Sequence, residues 1–300
     1  MNQEYKDLVL DQERALYGIQ NAKVSRCRFE GPADGESALK ECKNVQVEDC
    51  SFLLRYPFWH ADEIVIKNSS MSESCRAALW YDKNVKIFDS VLGGIKALRE
   101  CQNVKLQGCQ IDSTEFGWFC HEVAVHECSM ISEYPFLKCS RLEIDGLKMK
   151  GKYSFQYLED ATIKNSYLDT KDAFWHSKNV TVMDSVVKGE YLAWYSEGLT
   201  LVRCKIIGTQ PLCYAKNLTL IDCEMEGTDL AFEYSDVTAS VKGNILSVKN
   251  PDHGRIEADS IGEIILDDHQ HLGADCEIIS KNICGSSRDM LWEGGVKWKI

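Results

Sequence analysis

The sequence lacks three features that would assign it to a common functional class. It has no long uncharged apolar run, and its first eighteen residues, MNQEYKDLVLDQERALYG, mix charged with apolar side chains. This beginning predicts neither a secretory signal nor a membrane span, so we expect a cytoplasmic protein without a membrane partner. Lys and Arg number 34 against 46 Asp and Glu, and they form no cluster. The net charge of −12 disfavours a nucleic-acid partner, which requires a basic surface.

Short catalytic motifs are also missing. The chain contains no phosphate loop, no dinucleotide fingerprint and no nucleophile elbow, so we expect no cofactor. The segment DDHQHLGADC places His269, His271 and Cys276 near one another as a candidate metal group. A solvated loop is the simpler interpretation, because isolated short motifs usually mark no site. We therefore predict no metal site.

What the sequence does contain is an internal repeat of 19 residues. Each unit has an apolar residue, one spacer and a second apolar residue, which is the pattern of a strand with one buried face. The first apolar residues are Ala22, Val45, Ile64, Val85, Val104, Val123, Leu142, Ala161, Val180, Leu199, Leu218 and Val237. Their spacings are 23, 19 and 21 residues, followed by eight steps of 19. Such regularity predicts a solenoid.

Two more short strands complete each unit. A second inward pair follows the first, as in Cys27 and Phe29, and a third segment such as YPFWHA or AALWYD precedes the next unit. Three strands in 19 residues leave space for tight turns alone, so we predict an all-β, single-stranded, right-handed parallel β-helix. We count about 12 rungs over residues 21–255, with an N-terminal cap at 1–20 and a C-terminal cap and tail at 256–300.

Two columns of identical residues follow from this stacking. Asparagines precede the first strand in six units, at Asn21, Asn44, Asn84, Asn103, Asn179 and Asn217. Because Asn tolerates a left-handed backbone, this column predicts a turn corner whose amides bond from rung to rung. Ten of the fourteen cysteines fall in two further columns. Stacked side chains point the same way and do not converge, so we predict buried reduced thiols rather than disulfides or a metal site.

These units, for example KNVQVEDCSF and KNVTVMDSVV, resemble the right-handed parallel β-helix superfamily of pectate lyases and polygalacturonases. The closer resemblance, over about residues 20–250, is to an uncharacterised and mostly bacterial family of stand-alone β-helix proteins. It implies the fold and says almost nothing about activity, although the superfamily implies polysaccharide ligands. Of the polygalacturonase pattern only Asp267 and Asp268 match, and no acid trio matches the calcium site of pectate lyases.

The third segments carry a column of rings that the fold does not require. Five of the seven tryptophans occupy its middle position: Trp59, Trp80, Trp118, Trp175 and Trp194. Lys40, Arg99 and Gln156 share this position, and because such side chains are rarely buried we expect the column to face solvent. A stripe of exposed rings indicates a binding face.

We predict a saccharide ligand for this face, bound by Trp59, Trp80, Tyr81, Arg99, Trp118, Trp175, His176, Trp194 and Tyr195. The alternatives are an interface with another protein, such as a homo-oligomer contact, and stacking with a purely structural role. Whether the protein is an enzyme stays open. The best acid and base candidates are His60, Asp82 and Glu100, since Asp82 and Glu100 lie in neighbouring rungs at about the 5 Å that a pair of glycosidase carboxyls needs.

Overall fold

A computed structural model describes residues 3–286 and 296–299 of the protein. In these ranges the chain forms strands and turns, and it contains no helix with the length and apolar character needed to cross a membrane. The chain divides into two compact units, Met1–Gly151 and Lys152–Ile300. Each unit is a parallel β-solenoid, as predicted, in which equivalent strands of successive rungs pair with one another.

The first unit has eight rungs within its described residues. Their first strands are Gln3–Lys6, Gln20–Ser25, Lys43–Glu48, Asp62–Lys67, Lys83–Phe88, Gln102–Gln107, His121–His126 and Ser140–Asp145. Their second strands are Val9–Leu10, Arg28–Phe29, Ser51–Phe52, Ser70–Met71, Val91–Gly93, Gln110–Asp112, Ser129–Glu133 and Lys148–Lys152. Three third strands, Phe58–Trp59, Leu79–Trp80 and Leu98–Arg99, form a separate small sheet.

The second unit has seven rungs within its described residues. The first three have the first strands Glu159–Lys164, Lys178–Met183 and Thr200–Val202 and the second strands Tyr167–Lys171, Val186–Lys188 and Lys205–Ile207. In the last four, one long strand replaces both: Leu218–Glu226, Asp236–Lys249, His253–Ile265 and Glu277–Ser286. The strand Val296–Lys299 pairs antiparallel with the last of these.

The apolar residues of the sequence repeat lie opposite one another in adjacent strands of the sheet. Val45 pairs with Ile64 after 19 residues, and Ile64 with Val85 after 21, so the insertion is absorbed between strands. These side chains are buried, and so are Phe29 and Phe52 of the second strands, whose rings stack at 4.6 Å between centroids. Each fully buried side chain of this size contributes about 1.5–3 kcal/mol, so the repeated core holds the rungs together.

The described residues contain fifteen rungs, more than the twelve that the spacing predicts. Within residues 1–20, Gln3 pairs in parallel with Ala22, and within residues 256–300, Ile278 pairs with Ile256. The first of these rungs does not fit the pattern, because Gln3 and Tyr5 occupy the positions where other rungs have two aliphatic residues. The last rungs do not fit the pattern because the number of residues between them differs from 19, as between Ile256 and Ile278.

The third segment is extended in three rungs and is a tight turn in most others of the described chain. In these turns the backbone is left-handed at alternate residues, for example at Phe174 (φ 60°) and His176 (φ 55°). A left-handed backbone costs a residue of this kind roughly 1–2 kcal/mol. Hydrogen bonds between rungs offset the cost, because the Phe174 N–H donates to the Ser154 carbonyl and the His176 N–H to the Trp194 carbonyl, both at 3.0 Å. Side chains in these turns therefore do not alternate in and out.

The asparagine and cysteine columns agree with their predictions. The Asn44 amide donates to Asn21 Oδ1 at 2.8 Å and the Asn103 amide to Asn84 Oδ1 at 2.7 Å, and all four residues have a left-handed backbone. All fourteen cysteines are free thiols, and Cys284 alone is exposed.

Candidate functional site

The aromatic surface of the first unit is a stack of two ring pairs. Trp59 and Trp80 lie 5.3 Å apart between centroids, with 9° between their planes, and His60 and Tyr81 lie 5.1 Å apart at 8°. The tryptophans are half-buried, whereas His60 and Tyr81 are exposed. The expectation that the tryptophan column faces solvent is therefore met only in part, and the most exposed rings belong to the neighbouring column.

Two cations flank the tryptophan pair. The Lys40 ammonium lies 4.1 Å from the Trp59 ring centre, and the Arg99 guanidinium carbon lies 5.8 Å from that of Trp80. A cation over an aromatic face is attracted by the ring quadrupole. The faces of Trp59 and Trp80 are thus occupied by each other and by these cations, so a ligand would meet their edges.

Asp82 does not belong to this surface, and its predicted place beside the rings is wrong. Its side chain is 0% exposed, Oδ1 accepts a hydrogen bond from the Ala61 N–H at 2.7 Å, and Oδ2 has no partner among the described residues. The left-handed backbone of Tyr81 (φ 58°) breaks the alternation of the strand, so the next side chain enters the core. Burial raises the pKa of Asp82 well above its ordinary value.

Glu100 does lie on the surface, but it is held as a carboxylate. Its Oε1 accepts a hydrogen bond from Arg99 Nε at 2.9 Å. Burial raises the pKa of Glu100, but hydrogen bonds from Tyr81 and Arg99 outweigh that effect, so its pKa is lowered. A general acid at neutral pH needs a raised pKa. Because Asp82 is internal and Glu100 is ion-paired, His60, Asp82 and Glu100 do not form the carboxyl pair that glycoside hydrolysis requires.

The second unit carries a longer stack, which we call the ring ladder. It consists of Tyr157, His176, Tyr195, Tyr214, Tyr234 and His271. Successive centroids are 4.9, 5.1, 4.9, 5.7 and 4.1 Å apart. The planes lie within 16° of one another except between Tyr214 and Tyr234. The solenoid thus sets six ring edges in a row at about the spacing of its strands.

Trp175 and Trp194 stand behind the ladder and anchor it. They stack at 5.5 Å with 4° between planes, and their indole N–H groups donate to the carbonyls of Tyr191 and Gln210 at 2.6 and 2.8 Å. Trp118 in the first unit makes the same bond, at 2.6 Å, to a carbonyl sixteen residues later. Since these indoles are half-buried and their polar atoms are bonded, their main contribution is packing.

Three consecutive ladder residues keep their polar atoms available. Within the described part of the chain, His176, Tyr195 and Tyr214 make ring contacts and no side-chain hydrogen bond. Tyr195 is 47% exposed. By contrast, the Tyr234 hydroxyl donates to the His269 carbonyl at 3.0 Å, and His271 Nδ1 lies 2.9 Å from an Asp252 oxygen. The centre of the ladder is therefore the part that could bond a ligand.

The sequence prediction included His176 and Tyr195 but omitted four ladder residues. Tyr157 and Tyr214 lie 19 residues from His176 and Tyr195, so the repeat itself was the signal for them. His271 follows the irregular steps at the end of the repeat and carried no such signal. It joins the ladder rather than a metal group, because Cys276 is buried and the described residues contain no cluster of three metal-ligating side chains.

Three solved structures are similar to this chain at low sequence identity. The A-module of mannuronan C-5 epimerase AlgE4 from Azotobacter vinelandii is 11% identical, with a TM-score of 0.41, over 80% of this chain and 89% of that one. PfbA, a surface adhesin of Streptococcus pneumoniae, is 9% identical, with a TM-score of 0.37, over 93% and 90%. A tailspike of the E. coli bacteriophage HK620, in complex with a pentasaccharide, is 8% identical, with a TM-score of 0.37, over 89% and 60%.

Sequence comparison relates this chain to a family but to no curated protein. No curated protein matches this chain. One family does match, over residues 3–279, and it is described as a protein of unknown function, DUF3737. That range begins with the first described strand, at Gln3, and ends three residues into the strand Glu277–Ser286. The chain therefore belongs to the DUF3737 family.

Proposed function

We propose that this protein binds an extended saccharide along the ring ladder of its second unit. The observation that carries the proposal is the run of three exposed or half-buried polar rings, His176, Tyr195 and Tyr214, whose heteroatoms have no partner among the described residues. An aromatic ring with a polar tip suits a surface that is apolar at one end and hydrated at the other.

The stacking determines which part of each ring a ligand meets. Because neighbouring rings cover one another's faces, the ladder presents ring edges, two hydroxyls and an imidazole, spaced by about one strand separation. In a saccharide whose monomers repeat at a similar distance, each monomer would contact one polar ring tip and one apolar ring edge. Stacking also fixes the side chains before binding, so little side-chain entropy is lost when a ligand arrives.

We propose binding rather than hydrolysis for this protein. The acid candidates of the first unit are an internal Asp82 and an ion-paired Glu100. Neither has the exposed, proton-holding carboxyl that a glycosidase directs at its substrate.

An oligosaccharide array containing neutral and uronic-acid chains tests the proposal. Wild-type protein is expected to retain at least one glycan, and Tyr195→Ala should weaken that binding about tenfold or more, because it removes a hydroxyl and interrupts the stack. Tyr195→Phe keeps the ring and should lose only the hydroxyl contribution.

The matched control is Tyr167→Ala, which removes a ring of similar exposure, 44% against 47%, outside the ladder. It should bind like wild type. A wild-type protein that retains no glycan would refute the proposal, and so would equal losses in Tyr195→Ala and Tyr167→Ala.

A second candidate is a contact between copies of the chain, and Phe119 favours it. This ring is 42% exposed and lies edge-on to Trp118 at 6.0 Å, in the same column as His60 and Tyr81, but it has no polar tip. Because this ring offers no hydrogen-bonding group to a hydroxyl, an apolar protein surface matches it better than a saccharide does. Light scattering of wild type and Phe119→Ser tests this, since a monomeric wild type would exclude the contact.

A further inference from the structure

A groove of about 900 Å³ crosses the outer face of the first strands in the first unit. Its floor includes Val65, Lys86, Lys105 and Ala124, which are consecutive neighbours across paired strands. The asparagine column forms one wall. The volume lies within the range of small-molecule sites, about 300–1,000 Å³, and no ring lines the groove.

Two lysines occupy the centre of the floor without partners. Lys86 and Lys105 are directly opposite each other, and within the described residues neither makes an ion pair or a hydrogen bond. Like charges directly opposite on adjacent strands destabilise a sheet. Val65 and Ala124 flank them in the column, and the carboxylates that line the groove, Glu63, Glu122 and Glu143, make no ion pair with either lysine within the described residues. Two adjacent lysines without an ion-pair partner favour the binding of an anionic group between them.

The wall beside the lysines consists of amides in a fixed orientation. The Asn103 amide donates to Asn84 Oδ1 and the Asn84 amide to Asp62 Oδ1, both at 2.7 Å. Each of these –NH2 groups has a second N–H. The groove therefore combines two mobile ammonium groups with amide donors whose directions the ladder sets.

We propose that this groove binds a phosphorylated, hydroxyl-bearing small molecule. A phosphate dianion between Lys86 and Lys105 neutralises both charges at once, and lysine binds phosphate as a point charge. The second N–H groups of the Asn84 and Asn103 amides can then donate to hydroxyl oxygens in the rest of the molecule. The carboxylates of Glu63, Glu143 and the Arg141-paired Glu122 also line the groove and would repel a long polyanion, so the ligand is compact. The site shares no residue with the ring ladder, and the inference stands without the saccharide proposal.

Isothermal titration calorimetry at low ionic strength, with glucose 6-phosphate, glucose and inorganic phosphate as probes, tests this inference. Glucose 6-phosphate should bind more tightly than inorganic phosphate, and glucose should not bind measurably. Lys86→Gln and Lys105→Gln should each weaken glucose 6-phosphate binding about tenfold, as expected for the loss of one charged hydrogen bond. Gln46 already occupies the same column, so both variants should fold, which circular dichroism confirms.

The control is Lys148→Gln, an exposed lysine on a second strand of the same unit, which changes the net charge equally. It should leave the affinity unchanged. Three results would each overturn the inference: no binding of glucose 6-phosphate by wild type, equal affinity for glucose 6-phosphate and inorganic phosphate, or equal weakening in Lys148→Gln and Lys86→Gln.

Discussion

Replacing Asp82 with serine should stabilise the protein at neutral pH. Asp82 is a fully buried carboxyl with one oxygen bonded to the Ala61 N–H and the other without a partner among the described residues. In the same inward column of the second unit, Ser235 Oγ accepts the Ala215 N–H at 2.9 Å. Serine at position 82 can therefore keep the backbone hydrogen bond and remove the ionisable group.

The direction of the pH effect follows from the raised pKa of Asp82 in the folded state. Below the unfolded pKa of about 3.9, both states are protonated and the group carries no ionisation penalty. As the pH rises above that value, the unfolded state releases its proton first, and the free energy of unfolding falls by up to about 1.4 kcal/mol per pH unit. The fall ends at the folded pKa, so the penalty is greatest at neutral and higher pH.

The unbonded oxygen adds a contribution that does not depend on pH. A buried polar group without a partner costs about 1–3 kcal/mol, and Asp82→Ser removes it. The poorer packing of the smaller side chain offsets this contribution at every pH, so at pH 4 we expect little difference or a small loss of stability. At pH 8 the wild type also carries the ionisation penalty, and we expect the variant to be more stable by about 2 kcal/mol.

Urea denaturation followed by tryptophan fluorescence at pH 4, 6 and 8 measures this difference. With a slope of about 2 kcal/mol/M, a gain of 2 kcal/mol raises the midpoint by about 1 M. Asp112→Ser, at an exposed position of a second strand, is the control and should show no such pH dependence. A lower midpoint for Asp82→Ser at pH 8, or an equal difference at pH 4 and pH 8, would refute the reasoning.

Two further predictions concern the tryptophans and the thiols. Trp175→Phe loses the indole bond to the Tyr191 carbonyl and should be destabilised by about 1 kcal/mol, whereas Trp59→Phe should cost less, because the Trp59 indole N–H has no partner among the described residues; thermal melts of the two variants compare them. A thiol reagent should modify Cys284 in the native protein and the other thirteen cysteines only after denaturation, since they are buried; rapid native modification of more than one thiol would contradict this.

The first and second strands could be predicted from the sequence because their geometry is periodic. In an extended strand, alternate side chains point to opposite faces, so an apolar pair such as Val45 and Val47 reports one buried face directly. Repetition at 19 residues then places each pair over the next, as the pairing of Val85 with Val104 shows. Insertions between strands leave this signal intact because they do not change the pattern within a strand.

The third segment could not be predicted in the same way, because its backbone departs from an extended strand. The left-handed residues Tyr81 and His176 change the direction of the side chains that follow them, so counting by two gives the wrong face. Asp82 was assigned to the surface by that count and lies in the core. The ring ladder was recognisable as a column, but the pairing of ring faces, which decides what a ligand meets, depends on side-chain rotation.

The contrast between inner and outer columns explains where function in such a fold must be sought. An inner column accepts few residue types, because every member packs against the same neighbours, and Asp82 is therefore conspicuous among the small residues of its column. An outer column tolerates many types, as one position of five successive rungs shows with Gln46, Val65, Lys86, Lys105 and Ala124. A single residue there has little meaning. Similar side chains repeated on adjacent rungs do indicate a function, because stacking places these groups in a row about 4.8 Å apart. Lys86 with Lys105, and the rings from Tyr157 to His271, are such rows, and both proposed sites consist of them.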